Sequence, residues 1–169
     1  MLDAGCGAGR DTNLLSQKGL RVTGLDISKR LLDFARKQYP LLSFVEGDMR
    51  QLPFSTSKFD GIWAHTSLLH LETVKDVRKA FSELARVVRQ GGILHVLVKA
   101  QKGKEKTAVA TDTLSQHDRF FQYFTKEEIQ SYLEENGFTV IKIEQYREVD
   151  RVPYGRPEVE LILALARKI

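Results

Sequence analysis

The chain is constrained most strongly by its first ten residues, MLDAGCGAGR. Three glycines at alternate positions follow a short apolar run, the pattern of a buried strand that ends in a tight turn. Glycine accepts positive φ and lets a ligand approach the backbone closely. We predict a helix from about Arg10 to Lys18, with its free N–H groups directed at whatever lies over the turn. An α/β sheet builds a nucleotide site in this way at the carboxyl end of its first strand.

The spacing of the glycines separates two nucleotide-binding families. The dinucleotide fingerprint G-x-G-x-x-G would place its third glycine at position 10, counted from Gly5. That position is Arg10, and the third glycine comes one residue earlier. An acid, Asp3, stands two residues before Gly5. The run Asp-Ala-Gly-Cys-Gly-Ala-Gly resembles the first motif of the class I S-adenosylmethionine-dependent methyltransferases.

Composition limits the class of protein. A length of 169 residues lies within the range of one domain, and we predict a single domain over residues 1–169. Hydrophobic residues make up 42% of the chain and charged residues 28%, which is ordinary for a globular protein. No apolar run approaches the roughly 20 residues of a membrane-spanning helix, so we expect no membrane association.

Charge and cysteine content narrow the expected partners. The single cysteine, Cys6, excludes an internal disulfide and a multi-cysteine zinc site, so we expect no metal and a cytoplasmic location. The net charge of +4 is mild and its lysines are scattered or lie in one loop. We interpret them as solvated surface, and on this basis we expect no nucleic-acid partner.

Strand and helix signals alternate after the glycine turn. Strands are predicted over residues 20–26, 42–46, 59–64, 93–98, 138–146 and 159–166. Helices are predicted to begin after Ser28, Thr73 and Thr125, the last with Glu128 in a capping box. Gly91-Gly92 is predicted to end the second of these helices, and the polar residues 101–118 are predicted to form a mobile loop that ligand binding orders.

This order of elements predicts a doubly wound α/β fold. The last two strands have no helix between them and must pair antiparallel or lie apart. The resemblance implies a Rossmann-like sheet of seven strands in the order 3-2-1-4-5-7-6, with strand 7 antiparallel. Family members usually carry helices before the first strand, so we expect this chain to lack an N-terminal cap. We therefore expect either a homo-oligomer that supplies a substitute cap or weak activity that upstream residues restore.

The predicted cofactor site collects acids at successive strand ends. Asp26 ends the second strand, where an acid can accept hydrogen bonds from two ribose hydroxyls. The resemblance implies that Asp48 receives the adenine amino group, that Asp3 holds the amino-acid end through water, and that Arg10 reaches the methionyl carboxylate. The predicted contacts of S-adenosylmethionine, and of its product S-adenosylhomocysteine, are Asp3, Gly5, Cys6, Gly7, Arg10, Asp26, Ile27, Asp48, Met49 and Ala64.

Candidate groups for the chemistry follow the fourth strand. Residues 64–71, AHTSLLHL, differ from the Asn/Asp-Pro-Pro-Tyr/Phe motif of amino-methylating enzymes, and the lone cysteine disfavours a cysteine nucleophile. His65 and His70 are candidates for binding the acceptor or removing its proton. Each has a plain alternative: His65 packing beside the cofactor, and His70 satisfying a backbone group. In residues 119–124, RFFQYF, we select Arg119 and Tyr123 as acceptor contacts.

The resemblance implies a methyltransferase that acts on a small-molecule acceptor. Methyl transfer from a sulfonium needs alignment more than a catalytic dyad, so the lack of an obvious dyad does not oppose the prediction. One alternative is a noncatalytic or truncated relative that binds the cofactor. Another is an NAD-dependent oxidoreductase, which Arg10 in place of the required glycine disfavours.

Overall fold

The computed structural model describes residues 1–111, 118–151 and 153–169. The strands in these ranges are β1 (Leu2–Ala4), β2 (Thr23–Asp26), β3 (Ser43–Glu46), β4 (Phe59–His65), β5 (Val88–Lys99), β6 (Thr107–Thr111), β7 (Asp118–Gln122), β8 (Phe138–Arg147) and β9 (Glu160–Lys168). The α-helices in the same ranges are α1 (Arg10–Gln17), α2 (Lys29–Gln38), α3 (Val74–Val87) and α4 (Lys126–Glu135).

Seven of these strands form one sheet in the order β3-β2-β1-β4-β5-β9-β8. The first five run parallel, and β9 is antiparallel to both β5 and β8. The hairpin β6–β7 forms a separate two-stranded sheet. When only the strands of the seven-stranded sheet are counted, β8 and β9 are therefore the sixth and seventh in chain order. The predicted order 3-2-1-4-5-7-6 with an antiparallel last strand is therefore confirmed.

Side-chain caps start three of the helices at the predicted residues. The Ser28 hydroxyl accepts from the Leu31 backbone N–H at 3.4 Å, and the Thr73 hydroxyl accepts from Asp76 at 3.0 Å. Thr125 and Glu128 form a reciprocal capping box at the start of α4. Each cap satisfies a backbone donor that a helix leaves without a partner at its N-terminus.

The predicted helix end at Gly91-Gly92 is wrong. Helix α3 ends at Val87, β5 begins at Val88, and both glycines lie inside that strand. The register between β4 and β5 shifts next to them, and a Cβ on Gly92 would lie 2.6 Å from Val88 Cγ2. Gly92 is required by this close approach and Gly91 by its φ of +76°, so the two glycines form an irregularity in the strand where it pairs with β4.

The predicted loop over residues 101–118 is also corrected in part. Residues Thr107–Thr111 form β6, which pairs antiparallel with β7 and places this strand pair beside the 3-10 helix Leu68–His70. Lys106, the residue before β6, forms an ion pair with α4, in which its Nζ lies 2.9 Å from Glu128 Oε1. Residues 112–117, on which part of the mobility prediction falls, lie outside the described residues.

Apolar side chains cover the two faces of the sheet unequally. The larger cluster lies under α3 and α4, where Phe81 is fully buried and its ring centroid is 5.3 Å from that of Tyr132. The smaller cluster lies under α2 and contains Leu32 and Phe44. Truncating a buried Phe to Ala costs about 3–5 kcal/mol, so Phe81 is a main support of the sheet. No helix in the described ranges has the length and hydropathy needed to cross a lipid bilayer.

Candidate functional site

A cleft of about 620 Å³ opens at the carboxyl ends of the central parallel strands. This volume lies within the roughly 300–1,000 Å³ of sites for small molecules. The position follows from the strand order, since ligands of open α/β sheets bind outside the carboxyl ends of the strands. The predicted residues that line the cleft are Gly5, Gly7, Asp26, Ile27, Asp48, Met49, His65, His70 and Arg119.

The glycines of the first turn have different neighbours. Gly5 has φ +81°, and a Cβ built on it would lie 2.3 Å from the Cβ of Ser67. Gly7 has φ +53°, and a Cβ there would meet, among the described residues, only the Leu31 side chain at 3.9 Å. The absence of a side chain at Gly5 therefore lets the loop after β4 pack against the turn. The absence of a side chain at Gly7 leaves that side of the turn open to a ligand.

Asp26 is held at the end of β2 by two backbone donors. Its Oδ2 accepts from the Gly7 N–H and its Oδ1 accepts from the Ser28 N–H, both at 2.8 Å. An ionised carboxylate offers about four lone-pair sites. Two acceptor positions are therefore left for a ligand, and the Gly7 contact ties this acid to the glycine turn.

Asp48 is paired with an arginine two residues further along the chain. The Arg50 guanidinium donates from Nε and Nη2 to the Asp48 carboxylate, at 2.9 and 2.6 Å to Oδ2. Arg50 Nη1 also lies 3.1 Å from Asp76 Oδ1 at the start of α3. The Arg50 guanidinium holds the pKa of the Asp48 carboxyl below its usual range. Asp48 is thus fixed as a charged acceptor with little spare lone-pair capacity.

Asp3 lies beneath the cleft and does not line it. It is 2% exposed and accepts a hydrogen bond of 2.6 Å from the Thr12 hydroxyl. Burial raises the pKa of Asp3 to about 6, against the lowering effect of the Thr12 hydrogen bond. Asp3 therefore has no direct contact with the cleft, and its water-mediated contact with a cofactor stays a prediction.

Two predicted side chains of the first turn point elsewhere. The Cys6 thiol packs with Leu32 and Phe44 under α2, and burial raises its pKa to about 12. The Arg10 side chain is 82% exposed, and its Nε lies 2.8 Å from Asp11 Oδ1. Neither residue lines the cleft. The Cys6 side chain lies in the core under α2, and the Arg10 side chain lies on the exposed side of the first turn of α1.

Ala64 and Tyr123 are also outside the lining of the cleft. Ala64 is fully buried in the core beside α3, one residue before His65 turns to the cleft. The Tyr123 N–H donates to the Lys106 carbonyl at 2.8 Å, at the edge of the hairpin. Of the two predicted acceptor contacts, Arg119 therefore reaches the cleft and Tyr123 does not.

His65 belongs to a stack of rings on one face of β4 and β5. Its ring lies 5.3 Å from that of Trp63, which in turn stacks at 3.7 Å on His95. Burial lowers the pKa of His65, although the charge of Asp11, 3.9 Å away, acts in the opposite direction. His65 is consequently a neutral, partly enclosed side chain at the edge of the cleft.

His70 has a defined tautomer. Its Nδ1 lies 2.8 Å from the backbone carbonyl oxygen of Phe120 on β7. A carbonyl can only accept, so Nδ1 carries the hydrogen and Nε2 of the neutral ring is a bare acceptor. Desolvation lowers the pKa of His70, and the Phe120 carbonyl opposes this effect. His70 satisfies a backbone group, as its plain alternative stated, and still keeps one basic nitrogen.

The cleft also contains residues that sequence reasoning missed. They come from the loops after β3 and β4, from the first turns of α2 and α3 and from the hairpin, and they include Leu31, Arg50, Thr66, Ser67, Leu71, Glu72, Asp76 and Phe120. Thr66 and Ser67 follow β4 directly, so the rule that strand ends supply cleft residues would have selected them. Asp76 and Phe120 are distant in sequence, and only folding brings them to the cleft.

Comparison with known proteins identifies relatives that are longer than this chain. A family model described as a methyltransferase domain matches residues 2–96. The O-methyltransferase cnsE of Penicillium expansum is 32% identical over 157 residues, which cover 88% of this chain and 55% of that protein. A malonyl-acyl-carrier-protein O-methyltransferase of Enterobacter lignolyticus is 28% identical over 133 residues, covering 79% and 52%. The chain spans about half the length of these curated relatives.

Solved structures share the fold. An S-adenosylmethionine-dependent methyltransferase of Methanosarcina mazei matches with a TM-score of 0.87 at 21% identity, over 99% of this chain and 91% of that one. The 1,6-didemethyltoxoflavin-N1-methyltransferase of Burkholderia thailandensis, solved with bound 1,6-didemethyltoxoflavin and S-adenosylhomocysteine, matches with a TM-score of 0.74 at 24% identity, over 99% of this chain and 69% of that one. At these identities the likeness establishes the fold.

Proposed function

The chain belongs to the methyltransferase-domain family, and from this premise we propose that it transfers a methyl group from S-adenosylmethionine to a small-molecule acceptor. The observation that carries the proposal is the arrangement of the open Gly7 turn, Asp26 and Asp48 at the ends of β1, β2 and β3 around the same cleft. The names of the relatives, which are O-methyltransferases, support the same reaction.

The cleft residues fit this cofactor in shape and chemistry. Gly7 leaves room for close approach, and Asp26 has two acceptor positions for a pair of vicinal ribose hydroxyls. Ile27 and Leu31 contribute apolar side chains to the lining of the same cleft, as an adenine ring requires. In our proposal Asp26 holds the ribose and the backbone N–H of Met49 holds the adenine ring. The Asp48 carboxylate accepts from the adenine amino group in exchange for one of its hydrogen bonds from Arg50, and Asp3 acts through water.

The chemistry divides between cofactor and protein. When bound, S-adenosylmethionine supplies a methyl group on a sulfonium, an already activated donor. The protein then contributes alignment, and well-oriented reactants gain up to about 7–11 kcal/mol over free encounter. A rigid loop favours such alignment: the Thr66 N–H donates to the Leu97 carbonyl at 2.8 Å, directly before the cleft residues of the 3-10 helix.

His70 is the residue that we propose for proton removal. Its Nδ1–H is held by the Phe120 carbonyl, which leaves Nε2 to accept the proton that an acceptor hydroxyl would lose as its oxygen displaces the sulfur from the methyl group. Because desolvation lowers the pKa of His70, the ring is neutral near pH 7 and its base form is available. We assign His65 the lesser role of a neutral wall beside the cofactor.

The acceptor end of the cleft lies between the 3-10 helix and β7. Arg119 and Phe120 line it from the hairpin, and Leu71 and Glu72 line it from the other side. This mixture of a cation, an acid and apolar surface suits a small organic molecule with an oxygen nucleophile. We propose no nucleic-acid partner, and the lone thiol of Cys6, which has no disulfide partner in the chain, supports a cytoplasmic location.

A calorimetric titration with S-adenosylhomocysteine and with NAD tests the cofactor first. We expect micromolar binding of S-adenosylhomocysteine and none of NAD, and the reverse preference would restore the oxidoreductase alternative. A screen with S-adenosylmethionine and pools of small hydroxylated or carboxylated compounds then tests turnover by product detection. Binding of S-adenosylhomocysteine without a methylated product from any pool would favour the noncatalytic alternative.

A further inference from the structure

We propose that the hydroxyl of Ser67 binds the amino-acid end of the cofactor, a role that rests on the function proposed above. Ser67 lies between β4 and the 3-10 helix Leu68–His70, and it lines the cleft. Its position in the cleft and its lack of a hydrogen-bond partner both indicate a ligand. The residues predicted from the sequence to hold the amino-acid end, Asp3 and Arg10, do not line the cleft.

The Ser67 hydroxyl is buried without a protein partner. The residue is 7% exposed, and its Oγ has no hydrogen-bond partner among the described residues. Ser67 occupies the N-cap position of the 3-10 helix, yet its side chain makes no capping hydrogen bond. Buried hydroxyls in native proteins nearly always have a partner, so an isolated one in a cleft indicates a group completed by a ligand.

The backbone around Ser67 holds this hydroxyl in place. Thr66, with φ +53°, is fixed to β5 by its N–H hydrogen bond to the Leu97 carbonyl at 2.8 Å. The Ser67 carbonyl accepts from the His70 N–H at 3.1 Å. Gly5 has no side chain, and this is what allows Ser67 to lie against the end of β1. The hydroxyl is thus positioned before any ligand arrives.

The strand order selects the part of the cofactor that Ser67 faces. Adenine at the end of β3, beside Asp48, and ribose at the end of β2, beside Asp26, direct the rest of the molecule toward β1 and β4. Neighbouring strands are about 4.8 Å apart, so each step along the sheet matches one portion of the ligand. Ser67 and Gly5 stand at that β1–β4 step. A hydroxyl can donate to the methionyl carboxylate or accept from the methionyl ammonium.

The test compares Ser67→Ala with Ser55→Ala, which removes an exposed hydroxyl outside the cleft lining. Calorimetric titration is run with S-adenosylhomocysteine and with 5′-methylthioadenosine, which lacks the amino-acid end. We expect Ser67→Ala to weaken the binding of S-adenosylhomocysteine by about tenfold or more, as for the loss of a hydrogen bond to a charged group. Its affinity for 5′-methylthioadenosine should stay within about twofold of wild type, and Ser55→Ala should change neither.

Thermal unfolding without ligand gives a second, independent measurement. Removing a hydroxyl that has no protein partner should leave the midpoint of Ser67→Ala equal to or above that of wild type. A clearly lower midpoint would reveal a structural partner and overturn the proposal. Equal losses for both ligands, or no loss for either, would overturn it as well. Failure of the wild-type protein to bind S-adenosylhomocysteine would instead reject the proposed function itself.

Discussion

Alanine substitutions at Gly5 and Gly7 should separate the stability of the turn from its binding of a ligand. Both glycines have positive φ, where an L-residue costs about 1–2 kcal/mol. Gly5→Ala adds a Cβ 2.3 Å from the Ser67 Cβ, far inside the optimum of about 3.5–4.0 Å, and such overpacking typically costs about 1–3 kcal/mol more. Gly5→Ala should therefore lose about 2–5 kcal/mol of unfolding free energy.

Gly7→Ala should reduce the affinity for S-adenosylhomocysteine and have a smaller effect on stability than Gly5→Ala. Its Cβ would meet, within the described part of the chain, only Leu31 at 3.9 Å, so the loss of stability should be limited to about 1–2 kcal/mol of backbone strain. The new methyl group would stand on the open side of the turn, where the cofactor approaches. We expect S-adenosylhomocysteine to bind at least about tenfold more weakly, equivalent to about 1.4 kcal/mol.

Urea unfolding and calorimetric titration measure the two effects separately. Gly19→Ala is the matched control, since Gly19 has φ +83° after α1 and no described atom lies within 4 Å of its Cβ position. Its stability loss gives the backbone cost alone. A Gly5→Ala protein as stable as Gly19→Ala would refute the Ser67 contact, and a Gly7→Ala protein with wild-type affinity would refute the open approach to the turn.

Three further substitutions test individual side chains. His70→Gln should lower kcat/KM by about 10²–10⁴-fold for a hydroxyl acceptor while the affinity for S-adenosylhomocysteine is unchanged, and equal turnover would remove the proposed base. Asp26→Asn should weaken S-adenosylhomocysteine binding by about 1.5–3 kcal/mol, measured by titration of protein whose circular dichroism is unaltered. The pKa of Asp3 is raised from 3.8 to about 6, so the carboxyl destabilises the fold once it ionises. As the pH falls from 7 to 3, the unfolding free energy of wild type should therefore rise, relative to that of Asp3→Asn, by up to about 3 kcal/mol. A pH-independent difference in unfolding free energy between these two proteins would show that the Asp3 carboxyl is not destabilised by burial.

Much of the fold was predictable because its signals are local. The glycine turn, the caps at Ser28 and Thr125 and the alternation of strand and helix each depend on residues a few positions apart. Strand ends supply cleft residues in any open α/β sheet, so Asp26 and Asp48 could be placed at the cleft from their positions alone. The error at Gly91-Gly92 arose because a helix stop and a strand bulge use the same residue type, and the pairing with β4 decides between them.

Contacts between distant parts of the chain were decided only by the tertiary structure. Arg50 occupies the carboxylate of Asp48, and the carbonyl of Phe120 sets the tautomer of His70 from 50 residues away. Ser67 became a candidate only when packing against Gly5 buried its hydroxyl without a partner. The physical reason is common to all three: the sequence specifies donors, acceptors and strand ends, whereas burial and the pairing of polar groups arise when separate elements pack together.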